Sequence, residues 1–419
     1  MRLLYTLGIQ LMLFAYRLAS LAHPKAKKWI RGRRRWKYQL SRALDSWPDT
    51  APRVWMHCSS LGEFEQGRPV LEAIREQYPG CRILLTFFSP SGYELRKNYP
   101  TADYVCYLPG DTMRAARQFV ATVRPDLVIF VKYDFWFNHL IEVQKQNVPL
   151  VLVSALFRPD HLFFKPYGKW FARILRGFDL IFTQNKASRD RLQHIDIDAI
   201  VAGDTRVDRV VQIAGEATTF PDIDRWARAD HRLIGGSTWP AGEVILQQWW
   251  AAQDQAEQWQ LILAPHDISE PHLQQIEHLF GTSQVVRYSQ LTPSSTADIL
   301  LIDNIGMLSS IYRYGHLAYI GGGFGAGIHN TLEPIAHHLP VIFGPRYQKF
   351  AEATALVATG GGFSVTDQQD FFQIMTRLKD AEYYKKAQQA AMAYVEQNQG
   401  ATALILEAIH DQHWFHASA

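Results

Sequence analysis

A stretch rich in glycine, residues 321–327, carries the residue types that bind a phosphate group. Five of its seven residues are glycines, and it continues into Asn330, Thr331, Leu332, Glu333 and Pro334. Glycines let backbone N–H groups approach an anion closely, and the free N–H groups of a following helix favour negative charge. The Glu333 carboxylate could accept hydrogen bonds from both hydroxyls of a ribose. An alternative stays open, in which Asn330 and Glu333 only cap that helix.

Glu63 is the second residue whose position suggests chemistry. It follows a short apolar run and the sequence Cys58-Ser59-Ser60-Leu61-Gly62, which opens a predicted helix. A carboxylate at the mouth of a cleft can remove a proton from an attacking hydroxyl group. The alternative is structural, because Ser60 and Glu63 have the spacing of a capping box. The residues alone do not decide between a general base and a cap.

Apolar runs alternate with amphipathic segments from residue 54 onward, which predicts parallel sheets covered by helices on both faces. Helices are predicted between the strands, for example at 66–77 and 112–123, with final helices at 383–396 and 401–410. The predicted strands are 54–57, 82–87, 104–107, 127–131, 150–154, 180–183 and 199–202, and then 232–234, 260–263, 284–286, 299–302, 317–320, 341–342 and 362–365.

The length of the chain predicts two such domains. Its 419 residues exceed one ordinary core. Weak periodicity in residues 204–225 places the linker there. Two open α/β sheets in tandem predict a cleft between the carboxyl ends of their strands, where ligands of such sheets bind.

Composition excludes several classes of protein. A hydrophobic content of 47% with 13% aromatic residues excludes a largely disordered chain. The cysteines are Cys58, Cys81 and Cys106, whose spacing fits neither a zinc site nor a disulfide framework and indicates free thiols in a reducing compartment. The histidines other than His266, including the pair His337 and His338, have no carboxylate or cysteine at the spacing of a metal site, so we expect no bound metal.

Charge and apolar residues are distributed unevenly at the N-terminus. Residues 1–38 contain ten Lys or Arg and no acid, so the other 33 basic and 40 acidic residues give the body a charge of −7. This balance argues against a general nucleic-acid binder. Residues 3–22 are mostly apolar and could span a bilayer or lie on it, and the basic residues from 25 to 37 favour the cytoplasmic side. A cleaved signal peptide ending near Ala22 is the competing interpretation.

Several motifs together resemble the Kdo transferases, membrane-associated glycosyltransferases that attach 3-deoxy-D-manno-octulosonic acid (Kdo) to the lipid A precursor. The resemblance extends from the hydrophobic N-terminus to about residue 365, in family order. The motifs in the first half are Ser60-Leu61-Gly62-Glu63, Thr86-Phe87-Phe88-Ser89-Pro90-Ser91-Gly92, Lys132-Tyr133-Asp134-Phe135-Trp136 and Gly203-Asp204-Thr205-Arg206-Val207-Asp208. Those in the second half are Gly236-Ser237-Thr238, Ala264-Pro265-His266, Asp303-Asn304-Ile305-Gly306-Met307-Leu308, the glycine stretch through Pro334, and Gly344-Pro345.

The resemblance implies a GT-B fold, which is two Rossmann-like doubly wound domains facing a central cleft, here with an N-terminal hydrophobic membrane-associating helix. It implies a basic membrane segment at 1–38, an acceptor-side domain at 39–212, a nucleotide-sugar-binding domain at 213–395, and a C-terminal helix at 396–419 that packs back on the first domain. It also implies CMP-Kdo as donor, a lipid A precursor as acceptor, anionic inner-membrane lipids as partners, and inverting transfer without a metal or other cofactor. The enzyme would act in lipopolysaccharide biosynthesis on the cytoplasmic side of the cell inner membrane.

By the same resemblance Glu63 is the general base, Arg206 binds the phosphate of the donor, and Asp134 has a stabilising role. A guanidinium suits the role of Arg206 because it binds phosphate oxygens in a fixed fork. The implied contacts to CMP are Pro265, His266, Ile305, Gly306, Met307, Asn330, Thr331, Leu332 and Glu333.

Three residues depart from the family pattern. His266 stands where an arginine is frequent, Lys132 replaces the first acidic residue of its motif, and Met307 replaces a glutamate. A neutral histidine binds phosphate less firmly than arginine. These departures keep open a catalytically silent, membrane-tethered nucleotide-binding protein. The alternative enzyme is a GT-B transferase or epimerase that uses a UDP-sugar.

Overall fold

The computed structural model describes residues 1–132, 135–253 and 259–414. Within these residues the chain divides into two compact units. The first comprises Met1–Asp208 together with the residues from Asn398 onward, and the second comprises Arg209–Gln397.

The elements alternate as the hydrophobic pattern predicts. Up to the linker they are α1 (Arg2–Ala19), α2 (Pro24–Gly32), α3 (Trp36–Leu44), β1 (Arg53–Cys58), α4 (Leu61–Gln77), β2 (Arg82–Phe87), α5 (Pro90–Arg96), β3 (Tyr104–Tyr107), α6 (Met113–Val123), β4 (Leu127–Val131), α7 (Phe137–Lys145), β5 (Leu150–Ala155), α8 (Lys169–Leu175), β6 (Leu180–Thr183), α9 (Lys186–Gln193), β7 (Ile200–Val201) and α10 (Thr205–Gly215). Two short 3-10 turns, Leu162–Phe164 and Pro166–Gly168, precede α8.

The second half repeats this alternation. Its elements are α11 (Pro221–Trp226), β8 (His231–Thr238), α12 (Pro240–Ala251), β9 (Trp259–Pro265), α13 (Glu270–Phe280), β10 (Val285–Arg287), β11 (Ile299–Leu301), α14 (Leu308–Ile311), β12 (Leu317–Ile320), α15 (Leu332–Ala336), β13 (Val341–Phe343), α16 (Ala351–Thr359), β14 (Gly362–Ser364), α17 (Gln368–Leu378) and α18 (Ala381–Asn398), followed by α19 (Ala401–Asp411). The 3-10 turns here are Tyr288–Gln290 and Tyr312–Tyr314.

Each unit is built on a parallel sheet, which in the described residues has seven strands. The orders are β3-β2-β1-β4-β5-β6-β7 in the first unit and β10-β11-β9-β8-β12-β13-β14 in the second. All of these pairings are parallel, for example Val54 opposite Ile83 and Leu317 opposite Leu233. The prediction of two parallel α/β sheets is confirmed, and each of the fourteen predicted strands is present. The prediction that the two units face a central cleft stays a prediction.

The core of the first unit lies on both faces of its sheet. Trp55 and Val128 belong to one buried cluster, whereas Met56 and Ile129 belong to another. Successive residues of a strand point to opposite faces, so these continuous apolar runs fit a sheet that helices cover on both sides. Ile405 of α19 adds to the second cluster.

Helix α1 lies along the first unit with one apolar face against it. The Tyr5 hydroxyl donates a 2.6 Å hydrogen bond to buried Asp111, and the Tyr5 ring contacts Phe137 edge-on at 5.1 Å between centroids. The opposite face exposes six large apolar side chains to solvent, namely Leu3, Leu4, Leu7, Leu11, Phe14 and Leu18. None of the helices formed by the described residues is long and apolar enough to cross a bilayer.

Candidate active site

The order of strands in the first unit reverses between β1 and β4. Open α/β sheets bind ligands outside the carboxyl ends of their strands at such a switch point. The loop after β1 carries Ser59 and Ser60 and leads into α4, whose first turn contains Glu63. Trp136 comes in the loop after β4 and its indole N–H donates to Ser59 Oγ at 3.3 Å. The fold therefore places Glu63 where a ligand of this unit is expected.

One carboxylate oxygen of Glu63 accepts a hydrogen bond, and the other is available to a ligand. The Ser60 hydroxyl donates to Glu63 Oε2, and Glu63 Oε1 has no hydrogen-bond partner among the described residues. Ser60 is the N-cap residue of α4, but its side chain does not accept a hydrogen bond from the helix N–H groups. The full capping box is therefore not formed, because that motif requires the serine oxygen to accept from the backbone. A half-buried carboxylate with one free oxygen can accept a proton from a bound hydroxyl.

A chain of buried polar groups supports the loop after β1. His57 Nε2 lies 3.2 Å from Ser59 Oγ, and His57 Nδ1 lies 2.9 Å from Thr86 Oγ1. Burial lowers the pKa of His57 well below its ordinary value, and the nearby charges of His139 and Arg33 lower it further. A neutral imidazole can donate at one nitrogen and accept at the other, so this chain of hydrogen bonds fixes the position of Ser59 next to Ser60.

Arg206, the predicted phosphate ligand, is already paired in this structure. It is the second residue of α10, and its Nε lies 3.0 Å and its terminal nitrogen 2.5 Å from Asp204 Oδ2. Asp204 is buried, so this ion pair orients the guanidinium. Asp134 lies outside the described residues. Lys132 follows β4 directly and has a left-handed backbone, at a φ of 70°.

The second unit reverses its strand order between β8 and β12, and the glycine stretch follows β12 directly. Gly321 leaves no room for a side chain, because a Cβ there would lie 1.9 Å from the Ser237 carbonyl oxygen. Gly322 adopts a φ of 89°, a conformation that glycine tolerates best. Helix α15, which comes next, has only five residues; its N-cap residue Thr331 makes no side-chain cap hydrogen bond, and Asn330 just before it supplies the cap by accepting from the Leu332 N–H at 3.0 Å. The tight turn and the cap are therefore both present. Because α15 is short and its Leu332 N–H already donates to Asn330, an anion would be bound mainly by N–H groups of the glycine loop.

A cavity of about 310 Å³ opens beside this loop. It is lined by Ser237, Gly306, Leu308, Ser309, Tyr312, His329, Asn330 and Glu333. Cavities for small ligands begin at about this size. The structure thus brings together three of the residues predicted to contact CMP: Gly306, Asn330 and Glu333.

The other predicted CMP contacts lie outside this lining. Thr331 and Leu332 are buried beneath the loop, Met307 and Pro265 are also buried, and Ile305 is exposed. His266 is exposed and stacks on His329, which itself lines the cavity. Ser237, Leu308, Ser309, Tyr312 and His329 were not predicted. Of these, Ser237, Leu308 and His329 carried a signal, because each stands within a motif that resembles the family.

Glu333 and Asn330 form the polar wall of the cavity. The Asn330 amide donates to Glu333 Oε1 at 2.9 Å. Burial raises the pKa of Glu333, and this hydrogen bond opposes part of that change. Glu333 Oε2 has no hydrogen-bond partner among the described residues, so it can accept from a ligand hydroxyl.

Three aromatic rings form a stack at the rim of the cavity, which we call the ring stack: Trp239, His266 and His329. The Trp239 indole N–H donates to His329 Nε2 at 2.9 Å. His266 stacks on both rings, with centroids 4.8 Å from Trp239 and 4.6 Å from His329. Because His329 Nε2 accepts this hydrogen bond, His329 is neutral and carries its proton on Nδ1. Burial lowers the pKa of His329, and His266 lowers it further.

Sequence comparisons relate the chain to one family of enzymes. The sequence model of the 3-deoxy-D-manno-octulosonic-acid transferase (kdotransferase) family matches residues 32–209. The curated 3-deoxy-D-manno-octulosonic acid transferase of Chlamydia pneumoniae is 26% identical over 81% of this chain and 80% of its own length. That of Aquifex aeolicus is 25% identical over 82% of this chain and 92% of its own length. The family model and these relatives together support the Kdo transferase family over about four fifths of the chain. The expected resemblance is confirmed, and the chain is a glycosyltransferase.

Solved structures agree with the GT-B fold class. A putative UDP-N-acetylglucosamine 2-epimerase from Listeria monocytogenes matches with a TM-score of 0.59 and 15% identity, over 87% of this chain and 97% of that one. MurG from Acinetobacter baumannii matches with a TM-score of 0.56 and 12% identity, over 86% of this chain and 99% of that one. At such identities the likeness shows the fold alone.

Proposed function

We propose that this Kdo transferase moves Kdo from CMP-Kdo to a lipid A precursor of the lipid IVA type, with inversion and without a metal. The acceptor hydroxyl attacks the sugar carbon bonded to the phosphate of CMP, Glu63 takes the hydroxyl proton, and CMP departs with the electrons of the broken bond. The observation that carries the proposal is the position of Glu63. Its carboxylate stands at the switch point of the first sheet with Oε1 unpartnered among the described residues.

The donor site is proposed to be the cavity beside the glycine loop. Glu333 Oε2 supplies an acceptor for ribose hydroxyls, and the loop N–H groups supply donors for phosphate. Negative charge grows on that phosphate as the bond to the sugar breaks, and donors already in place stabilise it without reorganisation. His329 fits this requirement, because a neutral imidazole with a proton on Nδ1 is a hydrogen-bond donor.

Residues 1–38 are proposed to hold the enzyme on the cytoplasmic face of the inner membrane. The outer face of α1 exposes its six large apolar side chains, and the basic residues from 25 to 37 follow. An amphipathic helix with an adjoining basic segment is the pattern of an interfacial anchor to anionic lipids. A lipid acceptor requires such proximity to the bilayer.

Glu63→Gln tests the proposed base. Glutamine keeps an oxygen for the Ser60 hydroxyl but cannot take a proton. Transfer from radiolabelled CMP-Kdo to the lipid acceptor should fall by about 10²- to 10⁴-fold, the usual contribution of general base catalysis. Glu65→Gln, on the same helix turn but paired with Arg96 at 2.9 Å, is the matched control and should stay near wild type. Near-normal turnover of Glu63→Gln would refute the assignment.

Nucleotide selectivity tests the donor independently. CMP should raise the melting temperature of the wild type and of Glu63→Gln equally, and UDP should raise it less. Stronger stabilisation by UDP would favour a UDP-sugar enzyme. Nucleotide binding without any Kdo transfer by the wild type would favour a silent binding protein.

A further inference from the structure

A basic depression lies on the first unit between α6 and α7, beside the start of α1. Its volume is about 1120 Å³. Five cationic side chains and one carboxylate line it: Arg2, Arg114, Arg117, Arg124, Lys145 and Glu142. None of these residues belongs to the site described above or to the basic segment at residues 25–37.

The sequence of α6 places its cations on one face. Arg114, Arg117 and Ala121 follow one another at intervals of three and four residues, so their side chains share a side of the helix, and Arg124 is the residue that caps its C-terminal end. Ala121 is small and leaves the middle of that side open. Thr112 caps the helix start, and the first turn contains no acid that could neutralise Arg114.

The charges of the depression are only partly compensated. Buried Glu142 accepts from Arg2 at 3.3 Å and from Lys145 at 2.9 Å, and exposed Asp49 lies 3.1 Å from Arg124. Arg114 and Arg117 have no ion pair or hydrogen bond among the described residues. Like charges held close together destabilise a folded protein unless an anion binds between them.

The depression adjoins the exposed apolar face of α1. Arg2 begins α1 and lines the depression, and the next exposed apolar residues are Leu3, Leu4 and Leu7. The bond from Tyr5 to Asp111 holds α1 against the unit, so the apolar face and the cations keep a fixed arrangement. Apolar side chains next to unpaired arginines are the pattern of a surface that meets both the acyl chains and the phosphates of a membrane.

We propose that the basic depression binds the phosphate headgroup of an anionic membrane lipid and thereby orients the first unit on the bilayer. Arginine recognises phosphate oxygens through its planar fork, and two unpaired arginines one turn apart can share one headgroup. The acidic body makes nucleic acid a poor alternative occupant. The proposal rests on the proposed membrane anchoring by α1 but needs no assumption about the sugar that is transferred.

Vesicle sedimentation of the full-length chain tests the depression. The double variant Arg114→Gln/Arg117→Gln should partition about 30-fold more weakly than wild type onto vesicles containing phosphatidylglycerol, since each cation near an anionic membrane contributes about a factor of five. Its binding to pure phosphatidylcholine vesicles should not change. The matched control Lys385→Gln/Lys386→Gln removes the same charge from α18 of the second unit and should bind like wild type.

The possible results separate the two proposals. Equal binding of the double variant and wild type to anionic vesicles overturns the headgroup site, and failure of the wild type to bind any vesicle overturns the α1 anchor as well. The melting temperature of the double variant should equal or exceed that of wild type, because no described partner is lost. A lower melting temperature with weaker binding to both vesicle types would assign the arginines a structural role. If inorganic phosphate raises the melting temperature of wild type but not of the double variant, and the two bind anionic vesicles equally, the site belongs to soluble phosphate and the lipid is overturned.

Discussion

The ring stack makes a sharp prediction about Trp239. The indole N–H occupies the lone pair of His329 Nε2 at 2.9 Å, and a protonated His329 would have no lone pair to offer there. The hydrogen bond therefore stabilises the neutral form of His329 and lowers its pKa. Trp239→Phe removes the donor but retains a ring that can stack on His266. The pKa of His329 should rise in this variant.

The size of the effect follows from the hydrogen bond. A typical hydrogen bond contributes about 0.5–1.5 kcal/mol net, and the lower half of that range applies because Trp239 is 43% exposed and water can replace the indole. About 0.5–1 kcal/mol corresponds to a two- to fivefold rise in the ratio of protonated to neutral His329 at a given pH. The burial that also lowers the pKa of His329 remains in the variant, so the change should not exceed this range.

Titration of histidine labelled with nitrogen-15 in the full-length chain measures both the tautomer and the protonation ratio. In wild type the His329 signal should show an unprotonated Nε2, and in Trp239→Phe the midpoint should move to higher pH. His329→Gln assigns the signal. A wild-type Nε2–H tautomer, or an unchanged midpoint in the variant, would refute the reasoning.

Two further predictions concern stability. Tyr5→Phe deletes a charge-assisted hydrogen bond to buried Asp111, which is worth about 1.5–3 kcal/mol. Amide hydrogen exchange in residues 2–19 should therefore become about tenfold faster or more, while the amides of the sheets stay protected. Unchanged exchange would show that apolar contacts alone hold α1. Burial first, and then the charge of Arg232, lowers the pKa of His316 to about 4, so the folded state binds its proton less readily than the unfolded state and loses stability as the pH falls from about 6.5 toward 4. In the variant His316→Asn, the asparagine can still accept from the backbone N–H of Arg232. Between about pH 6.5 and about pH 4 the melting temperature of this variant should fall less than that of wild type, and an equal fall would contradict this role of His316.

The strands were predictable because both faces of each sheet are covered. A strand buried on both sides is a nearly continuous apolar run, as Leu127–Val131 is and Leu150–Ala155 is apart from Ser154, so its extent is visible in the sequence. The end of β8 was not predictable in this way. Gly235 and Gly236 near its end have low strand propensity but pair with both β9 and β12, and Ser237 forms an irregularity with a φ of 49° before Thr238 pairs with β9.

The site was predictable only where motif order placed residues on the same sheet edge. Gly306, Asn330 and Glu333 meet at the cavity because the loops after β11 and β12 end at the same side of the second sheet. The ring stack combines Trp239, His266 and His329 from three different loops, and no spacing along the chain indicates such a contact. The pairing of Arg206 with Asp204 was equally hidden, since an Asp two residues before an Arg usually points to solvent.

That pairing changes what the proposed mechanism asks of Arg206. A guanidinium that already binds a buried carboxylate through two nitrogens offers less net charge to a phosphate than an unpaired one. Under the proposed function, the charge on departing CMP must therefore be stabilised largely by neutral donors, the N–H groups of the glycine loop and His329 Nδ1. Neutral donors need no counterion and act only when they are correctly oriented. This explains why His329 is fixed by Trp239 on its edge and His266 on its face: a donor without charge contributes only through its position.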